Sequence, residues 1–265
     1  MKIYDIIFKN RDDCMKYSYV CVLSTDSYFD GLLVLYENLK DIKSKYDFLC
    51  LVTENISDNN INIMEKLGIK YKKIKTIKHN QGIGYWKYTF DKLQIFSLIE
   101  YDKLVFLDLD ILVLDNIDEL FNYETPAMCL DLPFHDDNFN SGVMVIKPDK
   151  DIYDDMIKKF MNSREQYNGD QIFLNEYFGN KYTILPSKYN VMRSLYFDEE
   201  LPFLDSLVVR GVIRYNKPEP EDIKIVHYIR ALKPFMTDKP FAGEEYNIYK
   251  KYMDIIKEEK DNFNN

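Results

Sequence analysis

Residues 103–121 read KLVFLDLDILVLDNIDELF, and the placing of this stretch decides the fold. Leu104 to Leu107 is a short apolar run bounded by charge, which reads as a strand buried inside a parallel sheet. Asp108 and Asp110 end it. Ile111 to Leu114 resumes the apolar run, and Asp115-Asn116 supplies an N-cap signal for a short helix from about Ile117 to Phe121. Two carboxylates are therefore expected at the carboxyl end of a central strand, where open α/β sheets bind their ligands. Alternation along an extended chain turns both to one side, and carboxylates that close repel each other unless a cation lies between them. The pair reads either as a solvated strand end or as a divalent-metal site that also holds a phosphorylated ligand.

Upstream, the pattern is that of a parallel unit. Tyr17 to Leu23 has strand composition, Ser24-Thr25-Asp26-Ser27 is a polar turn, and Phe29 to Leu39 carries apolar residues at helical spacing. Asp47 to Val52 reads as a second strand, Ile61 to Leu67 as a second helix stopped by Gly68, and Ile69 to Ile74 as a third strand. The order βαβαβ predicts a doubly wound sheet with the first turn at its carboxyl edge. No Gly-x-Gly-x-x-Gly follows the first strand, so a dinucleotide fingerprint is missing. The turn offers Thr25 and Tyr28 instead, a hydroxyl and an aromatic face suited to a nucleobase, or else a helix cap and a packing ring.

Between His79 and Trp86, HNQGIGYW reads as a loop without regular structure. Thr89 to Ile99 reads as a helix with Phe90, Leu93, Phe96 and Leu98 buried. Lys92 in its first turn opposes the helix dipole and calls for an anion. Downstream, Ala127 to Leu130 and Val143 to Ile146 are strands. Asn140-Ser141-Gly142 before the second of these offers an amide, a hydroxyl and a close backbone approach, suited to sugar hydroxyls or to an ordinary turn. Ile152 to Met161 is a helix with one solvated face. Asn168-Gly169-Asp170-Gln171 opens another through Tyr177, with Asp170 a cap unless context gives it another role. Tyr189-Asn190 marks a chain reversal, Arg193 to Asn216 has weak periodicity, and Ile223 to Val226 is a final strand ending in His227. A histidine there can complete an Asp-Asp-His metal set, and Lys233 can reach a phosphate on that metal. The charged tail EEKDNFNN is expected to fray.

A net charge of −9 and no basic stripe argue against nucleic acid as a partner. No persuasive signal peptide opens the chain, and no run reaches the length of a membrane span. Cys14, Cys21, Cys50 and Cys129 lack metal-ligand spacing, and the last three lie in apolar runs. Reduced thiols in a cytoplasmic protein are the expectation.

Taken in order, these pieces resemble the glycogenin-like family 8 glycosyltransferases. The anchors are Thr25 and Tyr28, Lys92-Leu93, Phe106-Leu107-Asp108-Leu109-Asp110, Asn116 to Phe121, Phe139-Asn140-Ser141-Gly142, Gly169-Asp170-Gln171, Tyr189-Asn190, and His227 with Lys233-Pro234. The resemblance covers about residues 18 to 237. It implies a single α/β domain of the GT-A fold: a Rossmann-like, mostly parallel central sheet flanked by helices, with a smaller mixed sheet in the acceptor half. Residues 17–122 would form the nucleotide-binding half, 123–240 the donor-sugar and acceptor half, and 241–265 a tail.

It also implies a retaining transfer from a UDP-hexose, commonly UDP-glucose or UDP-galactose, assisted by Mn²⁺ or alternatively Mg²⁺. Carried over residue by residue, Asp108, Asp110 and His227 look like metal ligands, and Thr25 and Tyr28 like uracil contacts. Lys92 and Lys233 look like contacts to the donor's phosphates or sugar. Asp131, Asn140, Ser141, Asp170 and Gln171 look like the group around the transferred sugar, with Leu109, Gly142 and Arg230 completing the donor contacts. Asp170, Gln171 and Lys233 are the catalytic candidates, Asp170 being the carboxylate to name if a protein nucleophile exists.

The family ending His-x-x-Gly-x-x-Lys-Pro-Trp appears here as HYIRALKPF, with Arg230 for Gly and Phe235 for Trp. The self-glucosylated tyrosine of glycogenin is not carried over, since Tyr196 is one residue out of step. The acceptor is left open among a glycan, a protein, a lipid or a small polyol, as is a homodimer. Two other readings stand beside the transferase: a nucleotidyltransferase, which would share the sheet and carboxylates, and a catalytically degenerate sugar-nucleotide or glycan-binding module, suggested by Arg230 and Phe235.

Overall fold

The computed structural model describes residues 15–264 apart from 81, 83, 132–137, 194–205, 210, 211, 217, 230–232, 238–240 and 242. Cys14, Tyr196 and Arg230 lie outside the described residues.

Runs of apolar residues form the strands, and both faces of the main sheet are covered. Strands β1 (Tyr17–Leu23), β2 (Asp47–Val52), β3 (Tyr71–Lys73) and β4 (Lys103–Leu107) pair in parallel in the order β3-β2-β1-β4. The sheet continues through β7 (Phe139–Ile146) and β6 (Ala127–Leu130), both antiparallel to their neighbours in that order, and ends with β8 (Thr183–Ile184) parallel to β6. Alternation divides the core. Tyr19, Cys21, Leu23, Val105 and Leu107 face one side, while Val20, Leu49, Leu51, Leu104, Phe106 and Met144 face the other. Each such side chain, fully buried, contributes roughly 1.5–3 kcal/mol.

Helices α1 (Phe29–Asp41) and α2 (Asp58–Leu67) pack on the first face. Ser57 Oγ caps α2 by accepting from Asn60 N at 3.4 Å, and Gly68 ends it at φ 72°, where a side chain would be strained. The second face is covered by α3 (Lys150–Asn162), α4 (Asp170–Phe178) and a 3-10 helix over Gly84–Ser97. This last element corrects two expectations. Regular structure begins at Gly84, inside the expected loop, and the helix expected from Thr89 is wound at three residues per turn. Phe90, Leu93 and Phe96 recur at that period and are all buried. The short helix after Asn116 is likewise a 3-10 turn, Asp118–Asn122.

A second, mixed sheet of three strands is ordered β5-β12-β9: β5 (Ile111–Val113) is antiparallel to β12 (Ile225–His227), which is parallel to β9 (Val191–Met192). A hairpin of β10 (Ser206–Val209) and β11 (Val212–Asn216) lies in the stretch that lacked periodicity.

The tail expected to fray is helical as far as Asn264. Residues Glu244–Asn264 form α5, which buries Tyr249, Tyr252 and Ile256 against the α1 side of the core. Tyr252 Oη donates to Asp41 Oδ2 at 3.0 Å, and Lys260 pairs with Asp30. Among the described residues no helix is long and apolar enough to cross a membrane.

Candidate active site

The Asp108-Leu109-Asp110 turn carries the chain from one sheet to the other. In the large sheet Leu107 stands opposite Val143, and one step further Asp108 N donates to Gly142 O at 2.9 Å. In the small sheet Ile111 stands opposite His227, and Tyr228 N donates to Asp110 O at 2.8 Å. Sheet register thus brings His227 against the two carboxylates. One ligand atom from each of Asp108, Asp110 and His227 lies within 4.8 Å of the others.

Close backbone contacts hold this corner shut. A Cβ on Gly142 would stand 2.3 Å from His227 Cε1, and one on Gly31 would stand 2.2 Å from Leu109 O. The close approach that Gly142 permits is therefore to the imidazole. Leu109 turns its side chain into the core, leaving its backbone at the corner.

Two lysines are set against three carboxylates. Lys92 Nζ lies 3.1 Å from Asp108 Oδ1 and 2.9 Å from Asp170 Oδ2, so the anion that its position calls for belongs to the chain itself. Lys233 Nζ pairs with Asp110 Oδ2 at 2.5 Å and donates to Tyr228 O at 2.7 Å. Burial works against Lys92's charge, but Asp108 and Asp170 hold its pKa above the ordinary lysine range. The two metal candidates are driven apart. Burial pushes Asp108 up to about 6 against the pull of Lys92, with Asp110's charge adding to the rise. Burial opposes Asp110's ionisation too, yet Lys233, joined by His227 when its ring is protonated, holds it well below the carboxylate range. Asp108 keeps 29% of its side chain exposed against 10% for Asp110, so solvent softens the effect on Asp108.

A chain of amides orients the histidine. Gly142 N donates to Asn140 Oδ1 at 2.9 Å, which identifies that atom as an acceptor. Asn190 Nδ2 donates to the same oxygen at 2.8 Å, so Asn190 Oδ1 is left to accept from His227 Nδ1 at 2.9 Å. The Nδ1 proton is thereby committed, and the Nε2 lone pair faces Asp110 Oδ1 at 3.2 Å. A lone pair meets a carboxylate favourably only with a proton or a cation between them. The residues fit a divalent cation: two carboxylates and an imidazole of fixed tautomer, a mixed oxygen and nitrogen donor set.

The remaining polar group is equally interlocked. Gln171 Nε2 donates to Asp131 Oδ2 at 2.7 Å, and Asn140 Nδ2 donates to Asp131 Oδ1 at 3.2 Å. Ser141 N donates to Gln171 Oε1 at 3.2 Å, and Ser141 Oγ donates to Asp170 Oδ2 at 2.8 Å. Asp131, Asn140, Ser141 and Asp170 are all buried. Asn140-Ser141-Gly142 is an interior part of β7, not a turn, because it runs between β4 and β6. Asp170 is not a cap either: the helix begins after Gly169, and the carboxylate turns inward to Lys92.

Thr25 and Tyr28 stand after β1, beside β4. Thr25 Oγ1 shares a hydrogen bond with Ser27 Oγ at 2.8 Å, and Tyr28 meets Phe235 edge-on at 5.3 Å between ring centres. Phe235 thus supplies an aromatic ring where the resembled family usually has tryptophan. Sequence reasoning left Asn190 as a turn residue and gave no role to Thr89, whose Oγ1 accepts from Asp170 N at 3.0 Å. It also passed over Asp91, wholly buried, which accepts from Ser24 Oγ at 2.8 Å and Ile77 N at 2.7 Å.

A family model described as Glycosyl transferase family 8 matches residues 19–238. The chain is 33% identical over 166 residues to inositol phosphorylceramide glucuronosyltransferase 1 of Arabidopsis thaliana, covering 62% of this chain and 30% of that protein. It is 28% identical over 251 residues to glycogenin-1 of Caenorhabditis elegans, covering 89% of this chain and 55% of that protein. The matches therefore span between 30% and 55% of the length of these relatives. Among solved structures, the galactosyltransferase LgtC in complex with donor and acceptor sugar analogs matches with a TM-score of 0.62 at 20% identity. That match covers 90% of this chain and 95% of that one, a likeness of fold.

Proposed function

The chain belongs to glycosyltransferase family 8, and from that premise we propose that it transfers a hexose, glucose or galactose, from a UDP-sugar to a hydroxyl acceptor. The transfer we propose is metal-dependent and retains the anomeric configuration. The observation that carries this reading is the meeting of Asp108, Asp110 and His227, from two sheets, with ligand atoms within 4.8 Å.

When bound, a divalent cation there supplies Lewis-acid neutralisation of the departing diphosphate. Lys233, already beside Asp110, adds a second positive charge for the same oxygens. Thr25 and Tyr28 hold the uracil, while Asp131, Asn140, Ser141 and Gln171 receive the sugar hydroxyls. As the bond from the anomeric carbon to the β-phosphate oxygen breaks, a bond to the acceptor oxygen forms, and the acceptor's proton passes to the released phosphate. Asp170 Oδ2 is shared between Lys92 at 2.9 Å and Ser141 Oγ at 2.8 Å, which weakens it as a nucleophile. That neutralisation favours attack by the acceptor on the face that UDP leaves, with Asp170 holding Lys92 in place. Among the described residues the site's lysines are already paired with carboxylates.

Incubating the protein with UDP-glucose, UDP-galactose and UDP-glucuronate, with Mn²⁺ or with chelator, tests the reading. UDP release from a hexose donor that chelator stops is the expected result. Asp110→Asn should abolish it with the fold intact by circular dichroism. Failure of the parent protein both to release UDP and to bind UDP in a metal-dependent way would sink the proposal.

A further inference from the structure

The chain has one tryptophan, Trp86, and it stands beside the site with 46% of its surface exposed. A single exposed aromatic is ordinary in itself, and what singles this one out is its place beside Asp170. The neighbourhood is built to keep it there. Thr89 Oγ1 donates to Trp86 O at 2.9 Å and accepts from Asp170 N at 3.0 Å, so one hydroxyl ties the tryptophan's backbone to Asp170. The indole lies on Gly169: a Cβ there would stand 3.2 Å from Trp86 Cε3, and the φ of 109° at Gly169 excludes ordinary side chains in any case.

The segment that carries Trp86 is fastened at several points. Gly82 N donates to His79 Nδ1 at 3.0 Å, and His79 Nε2 reaches Lys87 O at 2.9 Å. Gln166 Nε2 donates to Asn80 O at 3.1 Å, and Gly82 bridges to Tyr167. An exposed ring on an anchored backbone thus stands next to Asp170, one of the residues given to the transferred sugar.

We propose that Trp86 is the platform of the acceptor subsite and that the acceptor is a pyranoside, stacked by the C–H face of its ring on the indole. The inference rests on the transferase reading above and names the acceptor class for the same site. A pyranose has an apolar face and an equatorial belt of hydroxyls. It can lie on an aromatic ring while presenting one hydroxyl towards Gln171 and Asp170. A linear polyol or a peptide hydroxyl offers no such face.

The sole tryptophan makes its own probe. Emission excited at the red edge, where the tyrosines do not absorb, is followed while lactose, maltose, cellobiose and xylobiose, and in parallel glycerol and a serine-containing peptide, are added to protein saturated with UDP and Mn²⁺. At least one disaccharide should shift or quench the emission saturably, and glycerol and the peptide should not. In transfer assays with that disaccharide, Trp86→Ala should raise the acceptor KM ten-fold or more and lower the ratio of transfer to donor hydrolysis. Trp86→Phe should recover most of both. The proposal is overturned if the parent hydrolyses donor but no disaccharide moves the emission, if Trp86→Ala keeps the parent's acceptor KM, or if only the non-ring acceptors are glycosylated. Lack of UDP release by the parent, with Trp86 in place, counts against the transferase reading instead.

Discussion

Replacing Asn190 by alanine should weaken metal binding without touching a metal ligand. The amide oxygen of Asn190 accepts from His227 Nδ1 at 2.9 Å, and its amide nitrogen donates to Asn140 Oδ1 at 2.8 Å. Asn140 Oδ1 keeps its bond from Gly142 N at 2.9 Å when Asn190 is cut back, so it is not orphaned. His227 is: its Nδ1 proton loses its only amide acceptor, in a side chain that is 6% exposed. Stranding that donor costs about 1–3 kcal/mol if the ring stays as it is. The ring has a cheaper escape, which is to move the proton to Nε2 and point it at Asp110. That tautomer cannot bind a cation through Nε2.

Loss of such an orienting partner typically lowers metal affinity by about 10- to 100-fold, or roughly 1.4–2.7 kcal/mol. Calorimetric titration of Mn²⁺ in the presence of UDP reads the affinity directly. The chain has three histidines, so ¹⁵N-histidine spectra can be assigned by removing one at a time and then read for the tautomer of His227. Asn190→Asp keeps an acceptor at the position and should restore the Nδ1-protonated form. Affinity in Asn190→Ala within about two-fold of the parent, with Nδ1 still protonated, would refute the amide chain as the device that sets the tautomer.

Substitutions at three further places probe the surrounding structure. Burial pushes the Asp91 carboxyl up to about 6 against its bonds from Ile77 N and Ser24 Oγ. An acid raised in the folded state adds stability fully below its unfolded value and loses it as pH rises through the folded one. At neutral pH Asp91 therefore costs up to about 3 kcal/mol. Asp91→Asn should raise the denaturation midpoint at pH 8 and flatten its fall between pH 5 and 8, as urea titrations at the two pH values would report. In Gly142→Ala the new methyl would lie 2.3 Å from His227 Cε1; a cost of about 1–3 kcal/mol is expected, together with loss of Mn²⁺ affinity by calorimetry. Arg193 Nε meets Glu245 Oε1 at 3.1 Å, with side chains 4% and 5% exposed. Glu245→Gln or Arg193→Met alone should cost about 3–5 kcal/mol in urea unfolding, and replacing both by apolar residues far less.

Much of the sheet is legible because a strand buried on both faces must be apolar throughout. Tyr17–Leu23, Asp47–Val52 and Ala127–Leu130 can be read to the residue for that reason. Helices whose buried stripe is thin are not. In α5, Tyr249, Tyr252 and Ile256 are separated by lysines and acids that face solvent, so the segment has the composition of a frayed tail while its stripe fits α1. The metal candidates are legible because carboxylates at a strand end are chemically conspicuous. Asn190 is not, since its partner His227 is 37 residues away and spacing says nothing about which loop meets which. Asp170 looks like a helix cap until Lys92, far off in the chain, is seen beside it.

The small sheet explains why these distant residues meet. Each of its three strands delivers one group to the corner: Asp110 stands just before β5, His227 ends β12 and Asn190 stands just before β9. Asp108 alone belongs to the large sheet, through its bond to Gly142 O. The candidate metal site is therefore a seam between two sheets, and it is complete only when they are docked. Its support reaches further, because Arg193 follows β9 directly and is tied to Glu245 at the start of α5, which packs on α1. Loosening α5 would slacken β9 and with it Asn190 and His227, while the large sheet, with both faces covered, keeps its core. The least legible helix in the sequence thus bears on the geometry of its most legible motif.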